Sequence, residues 1–223
     1  MDKKLLIDAL VKVTLGIVIM GLLLFLPAGT LNWWQGWLLL AVLFVPMIAA
    51  GFVMMKKSPD LLRKRLNVKE KQKDQQLVVK LSGLMFLAGF ILAGLGKRFG
   101  WWTLPSWVSW AGAALFLLAY AMYAEVLREN AFLSRTIEVQ ENQTVVDTGL
   151  YGIVRHPMYA ATLVLFLSMP LVLGSLWAFL VFLAYPFIIA GRIRGEETLL
   201  RAELAGYEEY CRKVKWRVIP FVW

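Results

Sequence analysis

Arg155-His156-Pro157 opens a segment, Pro157 to Gly191, that contains no Asp, Glu, Lys, Arg or His. Beyond its far end stand Arg192, Arg194 and the pair Glu196-Glu197. Imidazole, guanidinium and carboxylate are the groups that orient charged ligands and move protons. If the uncharged segment is a membrane hairpin, it returns the chain to the face it left, and the two polar groups meet there. An ionisable cluster at a membrane surface is a functional hypothesis by default. Such a site suits a lipid-like substrate meeting a water-soluble cofactor. Plainer readings stand beside this one. Arg192 and Glu196 are four apart, so they share a helix face and can form a helix-end ion pair. His156 alone reads as structural, because Pro157 suits the first helical position, where its missing N–H costs nothing. His156 is the sole histidine and Cys211 the sole cysteine. That leaves no recognisable metal spacing and no intrachain disulfide.

The elements that must position these groups are membrane helices. Of the 223 residues, 60% are hydrophobic and 17% charged, and the mean hydropathy is +0.64. Soluble domains carry about 25% charged residues. Apolar runs cover roughly 9–27, 34–55, 78–96 and 105–127, each near the roughly 20 residues a membrane helix needs. The 157–191 segment is too long for one helix and has Gly174-Ser175 near its middle. It reads as two spans of about 17 residues, short but allowable where the bilayer thins or flanking residues snorkel. The N-terminal run is too long for a signal peptide and lacks a convincing cleavage site, so it reads as a retained first span.

Charge tests the layout. The net charge of +9 would suggest nucleic acid in a soluble protein, but here the basic residues lie between apolar runs. Segment 56–80 carries nine of them. Lys3, Lys4 and Lys12, then Arg128, Arg135 and Arg155, then seven more in 192–217 fall on the same side if there are six spans; only Lys97 and Arg98 fall on the other. The positive-inside rule makes the first side cytoplasmic, with both termini inside. Trp33, Trp34 and Trp37, and Trp101, Trp102, Trp107 and Trp110, form interfacial belts. Ser58-Pro59-Asp60 is a helix-start signal, so a short surface helix near anionic lipid is one reading of the basic stretch and an ordinary loop the other.

Gln143 to Gly152 reads as an extended, strand-like piece and a turn. No GxGxxG or P-loop pattern accompanies it. In the tail, Leu200, Leu204, Tyr207, Cys211 and Val214 form a helical stripe, with Glu208/Arg212 and Glu209/Lys213 as i,i+4 pairs opposite. Gly206 weakens its middle. The expected fold is all-α: a polytopic membrane protein of about six transmembrane helices, with a C-terminal helical hairpin and an amphipathic cytoplasmic tail helix.

The segments TGLYGIVRHPMYAA and RIRGEE, and the ending YEEYCRKVKWRVIPFVW, resemble the isoprenylcysteine carboxyl methyltransferase family and its phospholipid methyltransferase relatives. The resemblance covers roughly 128–223. It implies an integral membrane methyltransferase using S-adenosylmethionine at the cytoplasmic face, with a lipophilic substrate arriving from the bilayer. By motif, His156, Pro157, Met158 and Tyr159 would line the cofactor site, supported by Tyr151 and by Gln143, Thr144, Val145 and Val146. Glu196 would contact the cofactor and Arg192 would face the substrate. A carboxylate acceptor would need no base; an amine would, and Glu197 is the nearest candidate. Ala161 stands where many members have glycine. The first half matches the eukaryotic prenylcysteine enzymes only in general character, so the resemblance does not carry prenylcysteine as substrate.

The expectation is one membrane domain over 1–223, with four spans in 1–127 and the cofactor-binding portion in 128–223. It would sit in a bacterial inner (plasma) membrane, with membrane lipids and a lipophilic substrate as partners and no nucleic acid. Two other classes stay open. An NADPH-dependent sterol-type reductase is one, since the closing segment resembles those enzymes too. A non-enzymatic membrane protein is the other.

Overall fold

The computed structural model describes residues 3–66, 73–101, 103–133 and 139–223. Lys69, Lys71, Trp102 and Arg135 lie outside them. In lipid every backbone polar group must be satisfied within the segment, so long apolar runs become helices. The first four runs do so as α1 (Lys3–Ala28), α2 (Trp34–Lys57), α4 (Lys73–Phe99) and α5 (Ser106–Glu129). The hairpin follows as α6 (Pro157–Val172), α7 (Leu176–Phe182) and α8 (Tyr185–Glu203). Among the described residues, five segments are long and apolar enough to cross a membrane, Leu176–Glu203 counted as one, and α6 is a shorter apolar helix.

The hairpin arms are less symmetric than the expected pair of equal spans. The first is 16 residues long. The second breaks at Leu183-Ala184 and then runs on to Glu203. Pro186 accounts for the break, since it has no N–H to give and its ring crowds the carbonyl four residues back. The extension past Gly191 matters most, because it carries Arg192, Glu196 and Glu197 on a continuous helix rather than on a loop.

At the end of the bundle away from these residues, the hairpin turn is tied to the α4–α5 connection. Leu104 N–H donates to Gly174 C=O at 2.8 Å, and Thr103 and Ser175 form an isolated antiparallel bridge. Gly174 has φ +65, the left-handed conformation glycine supplies at a helix C-terminus. Ser175 Oγ caps α7 by accepting from Ala178 N–H at 3.3 Å.

Packing inside the bundle is apolar and close. Phe182, fully buried, meets Phe86 and Phe90 of α4, and Phe86 meets Phe166 of α6 edge-on. A Cβ at Gly94 would lie 2.7 Å from Leu24 O, and one at Gly112 would lie 2.8 Å from Val172 N. Small residues at such crossings let membrane helices touch backbone to backbone. Ile7, Val11, Leu15, Val18 and Leu22 form an exposed apolar stripe along α1, as a lipid-facing helix requires.

The basic segment does contain a helix, α3 (Pro59–Leu66). It folds back under the first two spans: Leu62 packs with Leu5 and Met55, and Lys12 Nζ donates to Leu66 O at 3.0 Å. The extended piece expected over Gln143–Gly152 is different. It forms no strand; it is irregular up to a 3-10 turn at Gly149–Gly152. Val145 packs instead on a tail cluster of Leu204, Tyr207, Tyr210 and Val214, so side-chain burial replaces a ladder. The tail stripe breaks where glycine permits it: α8 ends at Glu203, Gly206 takes φ +80, and α9 (Tyr207–Lys213) begins. The tail's charges pair outside α9. Arg201 bonds Glu208 at 3.0 Å and Lys213 bonds Asp147 at 2.6 Å.

Candidate functional site

Glu197 organises the polar end of the hairpin. It projects from α8 and is 4% exposed. A buried carboxylate is tolerated only when paired and hydrogen-bonded, and this one is. Arg155 Nε donates to Oε1 at 2.8 Å and Arg217 Nε to Oε2 at 2.9 Å. His156 Nε2 lies 3.2 Å from Oε1. Arg155 also donates through Nη1 to the carbonyls of Val214 and Lys215, at 2.8 and 2.9 Å. The main chain joins in: Arg155 N–H donates to Trp216 O and His156 N–H to Arg217 O, at 2.9 and 2.8 Å. Tyr210 hydroxyl donates to Tyr151 O at 2.7 Å. Three stretches distant in sequence are thereby fixed to one another: the hairpin entrance, α8 and the tail.

A cleft, open to solvent, lies against this cluster. Gln143, Thr144, Val145 and Val146 border it, followed by Tyr151, His156, Met158 and Tyr159. α8 contributes Arg192 and Glu196, and the tail contributes Tyr207 and Tyr210. Within the cleft, the Tyr159 hydroxyl donates to a Glu196 carboxylate oxygen and accepts from Arg192 Nε at 3.1 Å. This tyrosine touches both residues that the sequence placed four apart on one helix face. Tyr185 hydroxyl donates to Thr162 Oγ1 at 3.0 Å just beyond.

Two phenols on the tail side stay neutral. Burial pushes the Tyr151 hydroxyl up to about 12, although Asn130 Nδ2 donates to it at 3.0 Å. Burial pushes Tyr207 well above the ordinary tyrosine range. The Tyr207 hydroxyl has no hydrogen-bond partner among the described residues, is buried, and belongs to a residue lining the cleft. An orphaned buried hydroxyl at a cleft wall fits a ligand that completes it. The thiol of Cys211 is also pushed up by burial, which keeps it un-ionised and a poor nucleophile.

Ten of the twelve residues singled out in sequence therefore border one cleft; Pro157 and Glu197 do not. Pro157 is fully buried at the first position of α6. Glu197 faces away from the cleft into its three partners. Its carboxylate is committed to two guanidinium groups, so the geometry does not suit it to be a free base for an acceptor. Sequence reasoning gave no role to Arg155, Arg217 or Tyr207. Arg155 adjoins His156 and could have been suspected. Arg217 is one of several tail cations with no spacing to mark it, and Tyr207 lies on the apolar stripe, where it reads as core. Among the described residues no group of three or more His, Cys, Asp or Glu could hold a metal ion.

Residues 107–205 match the phospholipid methyltransferase family. The solved structure of a eukaryotic intramembrane Ras methyltransferase, isoprenylcysteine carboxyl methyltransferase, superposes with a TM-score of 0.50 at 16% identity. The superposition covers 97% of this chain and 86% of that one, and at that identity it speaks for the fold. The chain is also 31% identical over 91 residues to a Delta(14)-sterol reductase of Mus musculus; the match takes in 40% of this chain but only 22% of the reductase. The resemblance to phospholipid methyltransferases read from the hairpin is thus matched by the family model over 107–205, and the all-α polytopic fold by the solved structure.

Proposed function

We propose that this protein is an integral membrane methyltransferase that moves a methyl group from S-adenosylmethionine to a lipophilic acceptor. The observation that carries the proposal is the cleft beside Glu197, which joins a carboxylate, neutral phenols and an unmet hydroxyl at the mouth of an uncharged hairpin. The family match over α5 to α8 and the shared fold support it.

The residues present fit the cofactor. Glu196 suits an ammonium or ribose hydroxyls, and the Tyr207 hydroxyl offers one more hydrogen bond. Backbone groups of 143–146 can grip adenine. The faces of Tyr151 and Tyr159 can stabilise a cationic sulfonium. Bound there, the cofactor would supply an electrophilic methyl group for in-line transfer to the acceptor, with S-adenosylhomocysteine as the leaving group. The protein's own contribution is alignment and exclusion of water. Arg192, held by Tyr159, orients the acceptor, and His156 and Met158 close the wall between them. Glu197 acts by position: it holds the wall to α8 and the tail and touches no ligand. With no uncommitted base at the cleft among the described residues, an acceptor that is already nucleophilic, such as a carboxylate, is favoured over a protonated amine.

On the charge asymmetry of the loops, this end of the bundle is read as the cytoplasmic one. The segment shared with a sterol reductase keeps NADPH-dependent reduction as the second reading. Calorimetry separates the two: S-adenosylhomocysteine and NADPH are titrated into detergent-purified protein, with His156→Ala and Glu196→Ala alongside. Binding of S-adenosylhomocysteine, weakened in both variants, is the expected result. NADPH binding alone would move the chain to the reductases, and binding of neither by folded protein would remove the enzymatic reading.

A further inference from the structure

Arg65 lies in α3, far in sequence from the hairpin, yet its guanidinium reaches the hairpin entrance. Cζ sits 5.4 Å from the centre of the Tyr123 ring near the end of α5. Nη2 lies 3.8 Å from Met158 Sδ at the start of α6. Nε is buried without a hydrogen-bond partner among the described residues. A guanidinium has five donors, and a thioether is a weak acceptor. The neighbouring carboxylates on the elements around it are taken. Glu125 and Glu129 bind Arg128, Asp60 binds Arg63, Glu196 binds Tyr159, and Glu197 binds Arg155 and Arg217. Arg155 shows what satisfaction looks like here, with a carboxylate and two carbonyls. Among the described residues Arg65 has none of these. Met158, against which it rests, lines the cleft, and the charge of Arg65 also acts on the Tyr151 hydroxyl inside it.

We propose that Arg65 selects the methyl acceptor by binding an anionic group on it, a carboxylate or a phosphate. This rests on the methyltransferase reading and deepens it. The acceptor's apolar chain lies along the apolar helices, its anionic group meets the guanidinium between Tyr123 and Met158, and Arg192 meets it from the cleft side. The first half of the chain thereby contributes acceptor recognition to a cleft built by the second half. A planar fork suits carboxylate and phosphate oxygens better than an ammonium does.

The test uses full-length protein in nanodiscs, saturated with S-adenosylhomocysteine. Binding of oleate, oleyl phosphate and oleyl alcohol is followed by tryptophan fluorescence. Arg65→Gln should weaken one or both anionic probes by about tenfold or more, as expected for charge-assisted hydrogen bonds, and leave oleyl alcohol unchanged. Arg65→Lys should recover only part of the loss. Arg63→Gln, on the same helix, should leave all three probes unchanged. The proposal is overturned if Arg65→Gln affects all three probes equally, or if Arg63→Gln matches it, since either would mean that only surface charge is being read. Loss of S-adenosylhomocysteine binding in Arg65→Gln would also overturn it, by making Arg65 a cofactor ligand. The difference must persist when phosphatidylglycerol replaces phosphatidylcholine; its disappearance would make Arg65 an anchor for bulk anionic lipid. Failure of wild type to bind S-adenosylhomocysteine would instead sink the methyltransferase reading, while the lipid comparison would still report on Arg65.

Discussion

At Gly94, α1 and α4 meet with nothing polar between their side chains: Leu24, Pro27 and Ala28 pack against bare backbone. At Glu197, α8 meets the hairpin entrance and the tail through two guanidinium groups and an imidazole, and two backbone hydrogen bonds join the entrance to the tail. Lipid tails are as apolar as leucine, so the first region gains little from hiding apolar surface and depends on close fit. The second region faces water and must fix side chains at set distances. Apolar fit tolerates sliding; a paired buried carboxylate does not. The spans supply a scaffold that lipid can finish, and the polar cluster supplies the geometry that a ligand needs.

Breaking the polar cluster should have the largest effect. Glu197→Ala takes the carboxylate partner from buried Arg155, leaving it only its two carbonyls, and from part-exposed Arg217; breaking a buried pair this way costs about 3–5 kcal/mol. The thermal midpoint in detergent should fall sharply and S-adenosylhomocysteine binding should vanish; an unchanged midpoint would show that the cluster does not hold the tail. Breaking the apolar fit should cost less. Gly112→Val puts a side chain where Val172 N and Leu171 Cβ already lie within 3 Å, and overpacking of this kind costs about 1–3 kcal/mol. Stability should drop while residual ligand affinity stays near wild type, because α5 and α6 part away from the cleft.

Arg192→Lys sharpens the comparison within the site. Its lost fork should slow turnover more than it weakens the cofactor, read as kcat against the dissociation constant of S-adenosylhomocysteine; equal turnover would remove Arg192 from acceptor orientation. Tyr210→Phe removes one hydrogen bond between the tail and Tyr151, worth about 1 kcal/mol, and should lower the midpoint modestly. The smallest effect belongs to Asp147→Asn. Lys213, by its hydrogen bond and then its charge, holds the Asp147 carboxyl below the usual range. The stability it adds is therefore present above the unfolded carboxylate pKa and fades as pH falls through the folded one. Since both side chains are solvent-exposed, the midpoint at neutral pH should barely move.

Much of this was legible in the chain. Apolar run lengths located the spans, and the absence of charge from Pro157 to Gly191 brought the two polar groups together before any coordinates did. The surface helix at Pro59–Leu66 announced itself through a start signal. What escaped has a common physical cause. Arg217 reaches Glu197 across 20 residues and Arg155 reaches it across 42, and no local periodicity encodes such meetings. Arg65 lies 93 residues from Met158 inside a charge run that reads as a positive-inside loop, so composition hid its position. The extended piece before the hairpin failed for another reason: paired valines suit burial of any kind, and here α9 rather than a second strand covers Val145.

The partners of Arg155 at Val214 and Lys215 lie 59 and 60 residues further along the chain. During synthesis, the hairpin is therefore inserted in the bilayer well before the groups that complete its mouth have emerged. Until the stretch through Arg217 arrives, Glu197 has only Arg155, His156 and water beside it, and the cleft has no tail wall. Competence for the proposed ligand is therefore reached only after both arms of the hairpin are in place and the stretch through Arg217 has joined them.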